Sequence, residues 1–289
     1  MTSGDVAPPQ VTAKDAVDDI VRKSRRKRSF PLRRDFVQQR NPSGKPSPGP
    51  LAGLVAAGDK RGLLLYLLLV TKASAEPWNA ALPSAAWARA LGHELPNSKS
   101  ARTMVSKIWL RLERHGLVRR ERRDRLADVF LLREDGGKGA YTSPGSDRGP
   151  YLRVPLDLWV GGPDTENRWY QLLTLPELAL ILIGRSLGDG FLLPQEKAVQ
   201  WYGISADTIG RGVAALTAKG LLSAEKTFKI APLSAVGYTE ENRYTLLPPF
   251  GPVGHVSGSG TRKQRKVRSK AASKVRGRTA LRTAMSSTD

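Results

Sequence analysis

Apolar and polar positions fall into two blocks that follow the same succession of patterns. In the first, Leu63, Leu64, Leu65, Leu67, Leu68 and Leu69 make a nearly all-round apolar stretch within residues 59–72, as expected of a central helix buried on most sides. Pro83 and Ser84 open a short second helix with Trp87 and Leu91 four apart, ended by Gly92. Ser98 caps a third helix running to about His115, in which Ala101, Val105, Ile108 and Leu112 recur at spacings of four, three and four and form one buried face. Gly116 stops it. Residues 117–122 and 128–132 then read as two strands around a polar tip at residues 123–125.

The second block repeats this order. Residues 151–155 predict a strand, and Thr174 caps a helix with Pro176 in its first turn and Glu177 three residues beyond the cap. Its apolar run, residues 178–183, mirrors the first block. A turn at Gly188, Asp189 and Gly190 leads to a short helix over residues 195–202, and Ser205 caps a third helix, residues 206–219, with Ile209, Val213 and Leu216 inward. Gly220 closes it, and strands follow around Leu221 and Leu222, Phe228 to Ile230, and residues 242–247. Trp87 and Trp109 read as core aromatics.

Helix, helix, helix and hairpin in that order resembles the winged-helix family, and the stretch AVQWYGISADTIGRGVAALTAKGLL, residues 198–222, is similar to the helix-turn-helix of winged-helix transcription regulators. Two such blocks in tandem resemble plasmid replication initiators and regulators of phages and mobile elements. The expected fold class is therefore α+β, mainly α: two winged-helix domains (helix-turn-helix plus β-wing) with disordered basic termini. The expected boundaries are a disordered basic arm over residues 1–50, a first domain over 51–135, a linker over 136–150, a second domain over 151–250 and a disordered basic tail over 251–289. Pro, Gly and Ser clusters at residues 41–50 and 135–150 mark the breaks.

Charge sharpens the functional reading. The chain has 47 Lys and Arg against 26 Asp and Glu, net +21, an imbalance that a polyanion neutralises. Residues 1–50 carry +6, residues 51–135 carry +6, residues 136–250 are neutral, and residues 251–289 carry +9. The tail, with Arg262, Lys263, Arg265, Lys266 and Arg268, and the run from Arg22 to Arg28 followed by Arg33 and Arg34, read as arms that contact phosphates without regard to sequence. On the third helix of the first block, Lys99, Ser100, Arg102, Thr103, Ser106 and Lys107 lie opposite the apolar face. The hairpin adds Arg119, Arg120, Arg122, Arg123 and Arg125, expected to be solvated and open to a phosphate backbone. The resemblance carries the family's DNA-reading positions onto Lys99, Arg102, Thr103, Ser106 and Lys107, and onto Thr208 and Arg211 in the second block. That block's neutrality departs from a strongly basic reader and raises a dimer surface as its alternative role.

Several classes of chemistry are disfavoured. Zero cysteines excludes disulfides, thiolate nucleophiles and Cys-bound metal. Three dispersed histidines, among them His93 and His115, lack metal spacing, and neither HExxH nor GxSxG occurs. The segment Gly136 to Gly139 lacks the spacing and the Ser or Thr of a phosphate loop, and Glu240 with Glu241 reads as surface charge beside a wing. The longest apolar run, residues 63–70, is too short to span a bilayer, and no secretory h-region opens the chain. The expectation is a non-enzymatic, cytoplasmic, nucleoid-associated protein without cofactor or small-molecule ligand. It binds double-stranded DNA sequence-specifically, as a replication initiator or a transcription regulator; the alternative is a non-specific nucleoid or RNA-binding protein.

Overall fold

The computed structural model describes residues 10–123, 126–162 and 168–251. In chain order the helices and strands are α1 (Ala13–Arg22), β1 (Ser29–Arg33), β2 (Gln38–Arg40), β3 (Pro46–Pro48), α2 (Pro50–Ala56), α3 (Lys60–Lys72), β4 (Asn79–Ala81), α4 (Ser84–Ala90), α5 (Lys99–Arg114), β5 (Val118–Arg123), β6 (Leu126–Leu131), β7 (Tyr151–Pro155), α6 (Asp157–Val160), α7 (Trp169–Leu172), α8 (Leu175–Leu187), β8 (Phe191–Leu192), α9 (Ala198–Tyr202), α10 (Ala206–Ala218), β9 (Leu222–Ile230) and β10 (Tyr238–Leu246). The protein is thus mixed helix and strand, with small antiparallel sheets.

One order of elements occurs twice. α3, β4, α4, α5, β5 and β6 form a unit with sheet order β4-β6-β5, and α8, β8, α9, α10, β9 and β10 form another with order β8-β10-β9. The likeness reaches individual backbone bonds. Leu117 N–H donates to the Leu112 carbonyl at 3.0 Å and Leu221 N–H to that of Leu216 at 2.9 Å. Leu132 N–H reaches the Leu117 carbonyl at 2.9 Å, and Leu247 N–H that of Leu221 at 2.8 Å. Gly116 and Gly220 hold φ of 68° in the two helix-ending turns, a backbone that favours glycine. At Gly116 there is a second reason, since a Cβ would overlap the Gly136 carbonyl oxygen.

α3 is apolar all round because it is covered all round: Gly62 to Thr71 are all buried. α1, α2, α5 and β1 pack against it. Its start is fixed by Asp59, whose side chain accepts from Gly62 N–H at 2.9 Å. Such a cap contributes about 1 kcal/mol. α8 is the counterpart, capped by the reciprocal pair of Thr174 and Glu177. Trp87 and Trp109 meet edge to face at 5.5 Å in the core between α4 and α5.

The structure corrects the expected boundaries at the N-terminus. Residues 10–50 are not a disordered arm. Thr12 and Asp15 form a capping box that starts α1, and Val17, Ile20 and Val21 on α1, then Phe30, Leu32, Phe36 and Val37, are buried in the same core as α3. β1 pairs antiparallel with β7, from Ser29↔Pro155 to Arg33↔Tyr151. The strand expected to open a second domain is therefore bound to the N-terminal segment. Residues 41–50 are not a linker either: Asn41 turns the β2–β3 hairpin, its Oδ1 accepting from Lys45 N–H at 2.9 Å, and α2 follows directly.

Residues 136–150, expected as a linker, are fastened to β1 by Arg33. Its guanidinium is 1% exposed and Glu134 is 0% exposed. Nη1 donates to Glu134 Oε2 at 2.7 Å and to the Thr142 carbonyl at 2.9 Å, while Nη2 donates to Thr142 Oγ1 at 2.6 Å and Asp147 Oδ2 at 3.0 Å. Burying a charge is tolerated because its donors find acceptors. A further tie crosses to α3, where Trp159 Nε1 donates to Thr71 Oγ1 at 3.0 Å. The two repeated units are therefore joined through a shared core rather than by a tether.

Candidate nucleic-acid interface

The amphipathic pattern of α5 decides which of its side chains reach solvent. Ala101, Val105, Ile108, Trp109 and Leu112 are buried, and Lys99, Ser100, Arg102, Thr103, Ser106 and Lys107 are all exposed. Ser98 fixes the start of the helix, its Oγ accepting from Ala101 N–H at 3.1 Å. Among the described residues, none of Lys99, Arg102 and Lys107 has a carboxylate within ion-pair distance.

Four of these residues line a groove of about 940 Å³ between α5 and the turn that starts α3. Lys99, Ser100, Thr103 and Lys107 share it with Met104, Ile108 and Arg111 from α5, and with Gly58, Asp59, Lys60 and Arg61. Arg102 and Ser106 lie on the adjoining exposed face, outside the groove. The chain pattern did not point to Lys60, Arg61 or Arg111, because adjacency across some forty residues leaves no local signal. Arg111 closes the groove's end as a fork on Asp59, Nε to Oδ2 at 2.7 Å and Nη2 to Oδ1 at 2.8 Å. Burial pushes the Asp59 carboxyl upward, but the Arg111 fork and the Gly62 N–H outweigh it and leave the group below its ordinary 3.8. Lys60 is half-buried and reaches the Gln171 carbonyl at 3.2 Å, and burial lowers its ammonium, against an opposing pull from Glu177.

The hairpin arginines have different fates. Arg119 lies over the Phe130 ring at 4.5 Å and pairs with Glu121. Arg120 is half-buried rather than solvated as expected: its Nη2 donates to Glu113 Oε2 at 2.6 Å and its backbone N–H to Glu113 Oε1 at 3.1 Å, so its charge is paired within the protein. Arg122 is exposed. Arg123 ends β5. Arg125 lies outside the described residues, as do Arg262, Lys263, Arg265, Lys266, Arg268 and residues 252–289.

In the second unit, Thr208 and Arg211 border a smaller groove of about 560 Å³ with Gly212 and Ala215 of α10, Thr174, Leu175 and Pro176 at the start of α8, and Val55 and Gly58. The geometry repeats that of the first groove, with the third helix of the unit facing the start of its first helix. Gly58 borders both, so the two grooves meet at the turn between α2 and α3. The charge does not repeat. Arg211, in the place of Lys107, pairs with Asp207 at 3.0 Å, and Arg111 on α5 gives way to Ala215. Lys219 binds the buried Glu177, as Arg111 binds Asp59. Val213, expected inward, is half-buried, and Gly212 takes the innermost place against Leu180.

Among the described residues no group of His, Asp and Glu is placed to hold a metal ion, and no helix is long and apolar enough to cross a membrane. Comparison of the chain with protein-family models, with curated proteins and with solved structures gives no match.

Proposed function

We propose that the protein binds double-stranded DNA through two winged-helix units, with the exposed face of α5 in the major groove and the β5–β6 hairpin along the phosphate backbone. The observation that carries this reading is the face of α5 itself. Lys99, Arg102 and Lys107 stand without carboxylate partners on a helix whose opposite side is locked into the core. Cations held on a rigid, packed helix offer a duplex a preset shape, which base readout requires. Ser100, Thr103 and Ser106 supply the neutral hydrogen-bonding groups that base edges also use.

The meeting of the two grooves at Gly58 supports one contiguous surface running from α5 toward α10. With Arg211 paired and few cations nearby, α10 makes the weaker contact. Two units sharing one core suit a replication initiator of a plasmid or mobile element, which needs a fixed spacing between contacts; a transcription regulator uses the same surface at an operator. Sequencing the duplex fragments retained by the purified protein tests the proposal. Recovery of a defined motif supports sequence-specific reading, whereas equal retention of random duplex or preference for RNA favours the nucleoid or RNA-binding alternative.

A further inference from the structure

The hairpin of the second unit differs from that of the first in length and chemistry. β9 and β10 have nine residues each, against six in β5 and β6. From Ser223 to Ile230 every residue but Thr227 is exposed, so both faces are wet. Phe228 is 64% and Ile230 83% exposed, with Leu233 and Val236 exposed in the loop beyond. The charges balance, Glu225, Glu240 and Glu241 against Lys226, Lys229 and Arg243. A hairpin with no net charge and exposed apolar side chains suits a protein surface better than a row of phosphates. In the order β8-β10-β9, one edge of β9 has no strand beside it among the described residues. A long, straight, unpaired edge is a template for another strand.

We propose that this edge joins two copies of the chain, β9 pairing antiparallel with β9 of a second copy about a two-fold axis at Thr227. The backbone decides which residues can meet. Leu247 N–H donates to the Leu221 carbonyl and Ala231 N–H to that of Gly237, and the register runs from Leu222↔Leu246 to Tyr238↔Ile230. Odd-numbered residues of β9 therefore turn their N–H and C=O toward β10, while Ala224, Lys226, Phe228 and Ile230 turn theirs outward. A symmetric pairing must match outward residues with outward residues, which limits the axis to a residue rather than a gap between two.

Three axes lie near the middle of the strand. One at Glu225 sets that carboxylate against its own copy, and one at Lys226 does the same with an ammonium; like charges directly opposed are destabilising. The axis at Thr227 sets Thr227 against Thr227, Glu225 against Lys229 twice, Ala224 against Ile230, and the stem of Lys226 against Phe228. Charge and apolar surface are then both complemented, and a continuous sheet β10-β9-β9-β10 results.

Sedimentation velocity of the full chain over a concentration series tests this. The wild type is expected to form a dimer, and Glu225→Lys or Lys229→Glu to weaken it by about tenfold each, since two pairs turn repulsive. Glu225→Lys combined with Lys229→Glu restores the opposite charges and the dimer. Phe228→Pro removes a donor that points away from β10, so the hairpin keeps its ladder while the dimer is lost. A wild type that stays monomeric at about 100 µM overturns the proposal, as does a dimer indifferent to Phe228→Pro, to both charge reversals, or one whose charge-swapped form fails to recover. Binding of Phe228→Pro to a short single-site duplex separates this from the DNA reading: retained binding with lost dimer leaves α5 as reader and β9 as the joint between copies.

Discussion

Two carboxylates, Asp59 and Glu177, play matched parts in the two units. Each sits at the start of the unit's first helix and is held by a cation from its third, Arg111 or Lys219. Burial raises Glu177, but the Lys219 hydrogen bond with the Thr174 N–H and hydroxyl outweighs it and brings the group below its ordinary 4.5. Both folded-state values are depressed, so the folded protein binds fewer protons than the unfolded chain. Their stabilisation is present in full above the ordinary 4.5 and 3.8 and is lost as pH falls through the depressed folded values. Asp59→Asn is expected to flatten the acid limb of stability, read from urea midpoints across a pH series, and to cost about 1–2 kcal/mol at neutral pH through the weakened cap and fork. Glu134 runs the other way: burial raises it and Arg33 only partly offsets this. Glu134→Ala, which strands a buried guanidinium, is expected to cost about 3–5 kcal/mol in chemical denaturation, and Arg33→Met with Glu134→Leu distinctly less. Nothing local marked Arg33 as a core residue, since it stands in a basic run and its acceptors lie about a hundred positions away.

At the scale of elements, apolar runs and amphipathic periodicity were enough to place α3, α5, α8 and α10, the last three with their caps, because each buries one face or all of itself and its pattern records that burial. The short strands β4 and β8 carry no such record, being three and two residues long, and only the sheet ladders reveal them. α5 was read correctly as a buried face opposite an exposed cationic one. The fate of the β5–β6 hairpin arginines was not legible, since Glu113 meets Arg120 only after Gly116 reverses the chain. Under the proposed function, Arg102→Ala and Lys107→Ala should weaken cognate duplex more than random duplex, measured by fluorescence anisotropy. Equal loss on both would reject base readout by α5. A phosphate contact would contribute about 0.9 to the log-log salt slope, so Arg120→Ala should leave that slope unchanged because its charge is already engaged by Glu113.

For the whole molecule the decisive feature is the N-terminal segment. α1 packs on α3, α4 and α6, and β1 closes a sheet with β7. Phe30 and Leu32 are fully buried, and Phe30 stacks on Trp159. The first repeated unit thus lacks a complete core without residues before and after it. A fragment of residues 51–135 is expected to give the poorly dispersed amide spectrum of an unfolded chain, whereas residues 10–251 should unfold in one cooperative transition seen alike by far-ultraviolet dichroism and tryptophan fluorescence. A further joint is Gly203, at φ 64°, where the second unit meets α2 and a Cβ would come within 2.7 Å of Ala52 Cβ. Gly203→Ala should therefore loosen the contact between α9 and α2 and lower the thermal midpoint.

Periodicity, capping residues and glycine stops were sufficient to define the long helices, the doubled order of elements and the cationic face of α5, since each of these is written in neighbours a few residues apart. Tertiary structure alone decided that a basic, Pro-interrupted N-terminal segment belongs to the core, that residues 136–150 are fastened rather than loose, and that Arg111 is held by Asp59. The physical reason is one of range. A side chain's charge and hydrophobicity are local properties, but whether they are spent inside the protein depends on which distant residues the folded chain brings within bonding distance.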